Sequence, residues 1–396
     1  MDILVINAGS SSLKYQLVDK ETLQVLAKGN CEKIGLDDSF HKFEIGELSE
    51  TRVMPIPDHQ SAVQAALDVM LDPEAGCLKN LSEIVAVGHR IVHGGEYFSE
   101  SVIITDEVRR RIEECILLAP LHNPPALMAL RACSILMPNA TPVAVFDTAF
   151  HQTMPAKAFM YALPYSCYKE MKIRRYGFHG TSHHYVAERA ALLLGRSLTD
   201  MKMVTCHLGN GCSLAAIDGG FSVDTTMGFT PLEGVMMGTR CGSIDPAIVS
   251  YLIENKDLTP DDVNNLMNRK SGLLGISGVS NDLRDVQEAA AAGNEQAALA
   301  EQMYAHSIKK YLGQYAFEMG GLDVVVMTAG VGENSARMRE LIFHNLGTMG
   351  IIIDPARNAL SGGERIISSD NSRVTVAVIP TNEELVIVKD AIRLIG

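Results

Sequence analysis

Three stretches of small residues follow apolar runs in this 396-residue chain, and each is composed to let backbone approach an anion. Residues 7–14 read NAGSSSLK. Consecutive small residues bring N–H groups and hydroxyls close to a ligand, as a phosphate-cradling hairpin requires. Lys14 adds a cation, and Asn7 a hard oxygen that could help hold hydrated Mg²⁺. Residues 207–211 read HLGNG, again exposing donors after an apolar strand. Residues 329–334 read AGVGEN, expected as a loop between a strand and a helix. A helix N-terminus offers free N–H groups and a positive dipole end to an anion or nucleotide. Each stretch alone could be a tight connection; together they point to a nucleotide-sized polyanion.

The charged side chains extend this reading. Arg90 (in GHRIVHGG) and Arg240 (in GTRCG) stand in glycine-rich, low-charge settings that should leave a guanidinium accessible for bidentate contact with carboxylate or phosphate. Arg174, Arg175 and Arg284 are further candidates, whereas Arg109–Arg111 fit a solvated face paired with carboxylates. Asp147 ends an apolar strand in VFDTAFH, where functional carboxylates of α/β sheets often stand, although a cap or buried ion pair would explain it too. In RRYGFHGTSHH the His183 spacing to His179 invites a metal, but no zincin glutamate or third ligand accompanies it. Thr181 or Ser182 is expected to cap the following helix, with His183 and His184 on its first turn. His179 is the histidine expected at a reacting centre, where a donor imidazole stabilises transferring oxygens. Thr381-x-x-Glu384 resembles a capping box, and Glu383 beside it suits a helix start.

Other chemistries are excluded by what is missing. There is no GxxxxGK[ST], no GxGxxG after a strand and no GxSxG elbow. The net charge of −13 argues against non-specific binding to nucleic acid or an anionic membrane, so an anionic ligand needs a local basic pocket. The N-terminus has no basic n-region, and no apolar run reaches the roughly 18–20 residues of a membrane helix. Eight scattered cysteines without a CxxC pair read as reduced thiols of a cytoplasmic protein.

The elements expected to carry these residues alternate. Strands are expected at 3–7, 13–18, 84–87, 142–146, 203–207, 213–217, 324–328 and 374–379. Helices are expected at 107–118, 182–194, 295–319, 336–346 and 383–395. Alternation indicates α/β layering, and the paired strands near the start make the sheets mixed. INAGSSSLKYQLVD and CHLGNGCSLAAID, about two hundred residues apart, share one order of strand, small-residue turn and strand, a weak internal repeat.

In order along the chain, NAGSSSLK, FDTAFHQTMP, RRYGFHGTSH, HLGNG, TPLEG…GTR, AGVGENS and PTNEE together resemble the acetate kinase family, the acetokinase branch of the sugar kinase/Hsp70/actin superfamily. The resemblance implies two similar α/β domains of the actin-like (ribonuclease H-like) type around a cleft. Residues 1–150 plus 384–396 would form the N-terminal domain and 151–383 the C-terminal one, in a cytoplasmic homodimer. It implies Mg²⁺ (or Mn²⁺) at Asn7 and Glu383. Lys14, His207, Leu208, Gly209, Asn210, Gly211, Asp282, Leu283, Arg284, Gly330, Val331, Gly332, Glu333 and Asn334 would line the ATP site. Arg90 would bind the substrate carboxylate, with Val92, Leu121, Phe178 and Pro231 as its small apolar pocket. Asp147 would be the active-site acid, and His179 and Arg240 would stabilise the transition state. The implied reaction is ATP + acetate ⇌ ADP + acetyl phosphate, a step toward acetyl-CoA, with no nucleic-acid or membrane partner. Propionate phosphorylation, an ATP-driven conformational protein of the same superfamily, and a metal hydrolase on HGTSHH are the rival readings.

Overall fold

The structure, a computed structural model, describes residues 1–396. The chain divides into two compact units, Met1–Gln152 with Asn382–Gly396, and Thr153–Thr381. The first holds one mixed sheet of eight strands: β1 (Asp2–Ala8), β2 (Ser12–Asp19), β3 (Val25–Glu32), β4 (Phe40–Ile45), β5 (Leu48–Val53), β6 (Ile84–Ile91), β7 (Val102–Ile103) and β8 (Thr141–Phe146). Their spatial order is β5-β4-β3-β2-β1-β6-β8-β7. The second holds six: β9 (Lys202–Leu208), β10 (Cys212–Asp218), β11 (Phe221–Thr225), β12 (Val324–Thr328), β13 (Arg365–Ile366) and β14 (Thr375–Val378), ordered β11-β10-β9-β12-β14-β13.

The weak repeat in the sequence is a topological repeat. In the first unit the antiparallel run β3-β2-β1 continues through parallel β6 and β8. In the second, β11-β10-β9 continues through parallel β12 and β14. Parallel central strands are covered on both faces and so read as unbroken apolar runs. VVVMT of β12 is buried at every position. Antiparallel β2 alternates instead, burying Leu13, Tyr15 and Leu17 while Lys14 stays exposed.

Helices cover both faces of the first sheet. The helix His59–Met70, capped by Asp58 through Ser61 N at 2.8 Å, and the helix Asn123–Leu136 form one core with Leu4, Ile6, Leu13 and Leu17. Each such leucine contributes about 1.5–3 kcal/mol by burial. The final helix, Glu383–Ile395, packs Ile387, Val388 and Ala391 on Ile3, Val5, Ala86 and Val143 of the opposite face. Gly88 of β6 permits that approach, because a Cβ there would stand 2.3 Å from Ile387 Cγ2. The close contact fixes where Glu383, the first residue of the helix, meets the sheet.

Several expectations need correction. The helix expected over 107–118 is α-helical only over Asp106–Glu114 and tightens into a 3₁₀ turn at Cys115–Leu117. The helix expected over 336–346 stops at Phe343. AGVGEN is not a loop but a short helix, Ala329–Asn334, entered through Ala329 at φ 62°. No helix is long and apolar enough to cross a membrane, and all eight cysteines are free.

Candidate active site

In the first unit, chemistry gathers where β1, β6 and β8 end. Arg90, on β6, donates from Nε to Asp147 Oδ1 at 2.9 Å and from Nη2 to Oδ2 at 2.8 Å. Asp147 follows β8 and is anchored by its own N–H to the Ile91 carbonyl at 3.0 Å. Glu383 Oε2 stands 3.6 Å from Arg90 Nη2. The low-charge setting expected for Arg90 is therefore wrong: both acidic neighbours arrive from distant strands and helices. Burial opposes the Arg90 charge, but Asp147 and Glu383 outweigh it and hold the pKa above its ordinary value. Burial raises the Glu383 carboxyl; Asp147 adds to the rise, while Arg90 and Lys14 oppose it. Asn7 and Lys14 face each other across the β1–β2 hairpin, whose turn closes through Gly9 N to Ser12 O at 2.8 Å. They line a hollow of about 300 Å³ with Asn30, Lys42 and Glu384.

The oxygen donors here fit Mg²⁺. Glu383 accepts no hydrogen bond and its ionised form is disfavoured by burial and a like charge, a penalty that a hard cation relieves. No cluster of three acidic or histidine ligands is present, and Mg²⁺ needs none when phosphate oxygens and waters complete its shell.

In the second unit, the helix Gly180–Leu194 begins at His179, which holds φ 56° and caps nothing with its side chain. Thr181 and Ser182 are thus inside the helix rather than at its cap. His179 Nδ1 lies 2.9 Å from Ser213 Oγ, and its ring stacks on His207 at 4.1 Å between centroids. Arg240 Nη1 donates to the Pro231 carbonyl at 3.0 Å. Arg240 makes no ion pair, and burial pulls its pKa below the usual guanidinium value. Gly211 separates the two groups: a Cβ there would lie 3.3 Å from Arg240 Nη1 and 3.4 Å from His179 Nε2. A side chain there would press on both groups.

A cavity of about 770 Å³ opens in the same unit beside the glycine stretches. Gly209, Asn210, Asp282, Leu283, Arg284, Gly330, Val331 and Asn334 line it. Its size suits a nucleotide. Asp282 caps the helix Leu283–Ala291 and is pulled down to about 2 by Arg284, which bonds it at 2.6 Å.

The acetokinase family model matches residues 2–389. The acetate kinase of Halothermothrix orenii is 56% identical over 396 residues, covering 100% of both chains. The crystal structure of Porphyromonas gingivalis acetate kinase is 48% identical with a TM-score of 0.96, covering 100% of each chain. That of a propionate kinase from Francisella tularensis is 42% identical with a TM-score of 0.93, covering 99% of each. The chain belongs to the acetokinase family. It is accordingly a phosphotransferase with a carboxyl group as acceptor.

Within this acetokinase chain the residues expected from sequence divide between the units. Asn7, Lys14, Arg90, Val92, Leu121, Asp147 and Glu383 belong to the first; Phe178, His179, His207, Pro231, Arg240 and the ATP-site residues belong to the second. Phe178 is buried, whereas Leu121 is exposed. His207, Leu208, Gly211, Gly332 and Glu333 stand outside the lining of the large cavity. Gly332 packs against backbone instead, its missing Cβ 3.2 Å from Met327. Arg175, proposed as an anion ligand, is occupied by Glu233 at 2.8 Å, and Arg174 lies over the Phe159 ring at 3.6 Å. The expected capping box is also replaced: Asn382, not Thr381, caps the last helix by accepting from Leu385 N at 3.0 Å.

Sequence reading overlooked Gly238, Asn281, Gln287 and Arg337 of the cavity wall, and Arg339, which braces the Ala329–Asn334 helix. Arg339 is buried and donates to the Gly332 and Glu333 carbonyls at 2.9 and 3.0 Å, satisfying the end of the Ala329–Asn334 helix. An arginine within an amphipathic helix carries no local signal of such a role.

Proposed function

We propose that this chain transfers the γ-phosphoryl group of ATP to acetate by direct in-line attack, reversibly, giving acetyl phosphate and ADP. The observation that carries this is Arg240, a partly buried guanidinium with a carbonyl partner and no carboxylate, next to His179 and a side-chain-free glycine. A desolvated cation without a counter-ion is costly, and an anionic ligand offsets that cost.

Acetate, with a pKa near that of Asp or Glu at about 4, is already ionised at neutral pH and needs no base. The obstacle is repulsion between carboxylate and γ-phosphate, answered by positioning and neutralisation. Arg90 binds the acetate carboxylate; its Nε and Nη2 are committed to Asp147, and Nη1 remains available. Asp147 orients Arg90 rather than removing a proton. Arg240 and His179 stabilise the transferring phosphoryl oxygens. Asn7 and Glu383 would hold Mg²⁺, which when bound with ATP neutralises phosphate charge. The methyl group of acetate needs a small apolar pocket. One methylene there is worth only about 1–3 kcal/mol, so propionate should be a slower substrate rather than an excluded one. Acetate is favoured over propionate by the higher identity to the Halothermothrix orenii acetate kinase, 56% against 42% for the propionate kinase.

Hydroxylamine traps acyl phosphates. Incubating the protein with MgATP and acetate, propionate or butyrate should yield hydroxamate fastest with acetate. No hydroxamate with any acid would refute the reaction, and a higher kcat/KM for propionate would refute the substrate.

A further inference from the structure

We propose that a directed chain of hydrogen bonds from Thr205 through His183 and Ser213 sets His179 in the tautomer that carries its proton on Nε2. Thr205, His183 and Ser213 are positioning residues, and their effect on rate rests on the assignment of His179 to the transferring phosphoryl group made above.

The chain arises from strand periodicity. Thr205 and His207 are two apart on β9, and Ser213 of β10 pairs directly with His207, so three polar side chains share one face of the hairpin. Onto this face the helix Gly180–Leu194 brings Ser182 and His183. Thr205 Oγ1 meets His183 Nδ1 at 2.7 Å, His183 Nε2 meets Ser213 Oγ at 2.7 Å, and Ser213 Oγ meets His179 Nδ1 at 2.9 Å. Thr205, His183 and Ser213 are wholly buried.

Counting protons decides the direction. The Thr205 hydroxyl has a single hydrogen-bonding neighbour, His183 Nδ1. A buried hydroxyl proton without an acceptor forfeits the bond it had in water. Thr205 therefore donates, which leaves His183 Nδ1 bare and places the His183 proton on Nε2. Ser213 accepts from that nitrogen, and its own single proton goes to His179 Nδ1. Neutral His179 then carries its proton on Nε2, the atom that lies 3.4 Å from where a Cβ of Gly211 would stand. Reversing any one link reverses them all and strands the Thr205 proton. The His179 ring plane is held separately, by stacking on His207, whose Nδ1 lies 2.8 Å from Ser182 Oγ. The result is a donor aimed where negative charge develops; the opposite tautomer would present a lone pair to phosphate oxygens.

Long-range ¹H–¹⁵N correlation spectra of the full-length protein labelled with ¹⁵N-histidine read the tautomer directly, with His179 assigned by loss of its signals in His179→Gln. The parent should show an unprotonated Nδ1 and a protonated Nε2 at His179. Thr205→Val, isosteric but without a hydroxyl, should move His179 toward the other tautomer. It should lower kcat by about tenfold while KM for both substrates stays within about twofold. Thr205→Ser should restore tautomer and rate together. A protonated Nδ1 in the parent, or a Thr205→Val protein with unchanged tautomer and kcat, would overturn the proposal. Should His179→Gln keep the parent kcat, the phosphoryl assignment of His179 fails while the tautomer measurement still stands.

Discussion

Arg90 grips both carboxylate oxygens of Asp147, at 2.9 and 2.8 Å, while the same guanidinium stands 3.6 Å from Glu383. One cation thus serves two carboxylates, and only Asp147 is hydrogen-bonded to it. The two acids should respond in opposite ways when neutralised.

Asp147→Asn removes the bonded partner of a mostly buried charge. Breaking such a pair should cost about 3 kcal/mol in denaturant unfolding. Arg90 would lose its fixed orientation, and kcat should fall by about 10²-fold or more. A variant with parental stability and parental kcat would show that the pair is neither structural nor positional.

Glu383→Gln should do the reverse to stability. Its carboxyl is raised above the ordinary value in the folded state, chiefly by burial and further by Asp147. Between the unfolded and folded pKa the folded protein binds more protons, so stability falls as pH rises through that window and stays lower above it. The variant should therefore be more stable than the parent at neutral pH, with the gap closing as pH falls below about 4. It should also lose its response of rate to Mg²⁺ concentration. Urea midpoints across pH that show no gain at neutral pH would contradict this.

Arg240 separates activity from stability. Because its charge is desolvated without an ion pair, Arg240→Met should leave unfolding free energy unchanged or slightly higher. Loss of a donor to the transferring group should lower kcat by about 10²–10³-fold. A raised KM at unchanged kcat would instead assign Arg240 to ground-state binding.

Gly330 lies within the short helix Ala329–Asn334, lines the large cavity, and has no atom within 4 Å of where a Cβ would stand. Gly330→Ala should stabilise by about 0.5–1 kcal/mol through helix propensity. The methyl group would enter the cavity, so KM for ATP should rise with little change in kcat. An unchanged KM for ATP would place the nucleotide elsewhere.

Much of the site's chemistry was legible because small-residue stretches after apolar strands have few uses. NAGSSSLK and HLGNG both close antiparallel hairpins, and the glycines of HLGNG border the cavity or the Arg240–His179 gap. The helix caps were misread where a local rule competed with packing. Thr381 and Ser182 look like caps, yet their hydroxyls bond each other at 2.8 Å. Gln287 and Arg337 left no trace because a polar residue on an amphipathic helix is the ordinary case, and Asn281 lies in the bend before the helix Leu283–Ala291, where asparagine is equally ordinary.

The amino-acid order alone determined the alternation of strands and helices, the repeated hairpin and the chemical class of the loops. Those follow from hydrophobic period and glycine placement, which act over a few residues. Only the tertiary structure decided the partners: that Arg90 is claimed by Asp147, that Arg240 has no acid, and that three hydrogen bonds join the Thr205 hydroxyl to His179. The reason is physical. Charge pairing and proton direction depend on distances of about 3 Å between groups far apart in the chain, and only packing sets those distances.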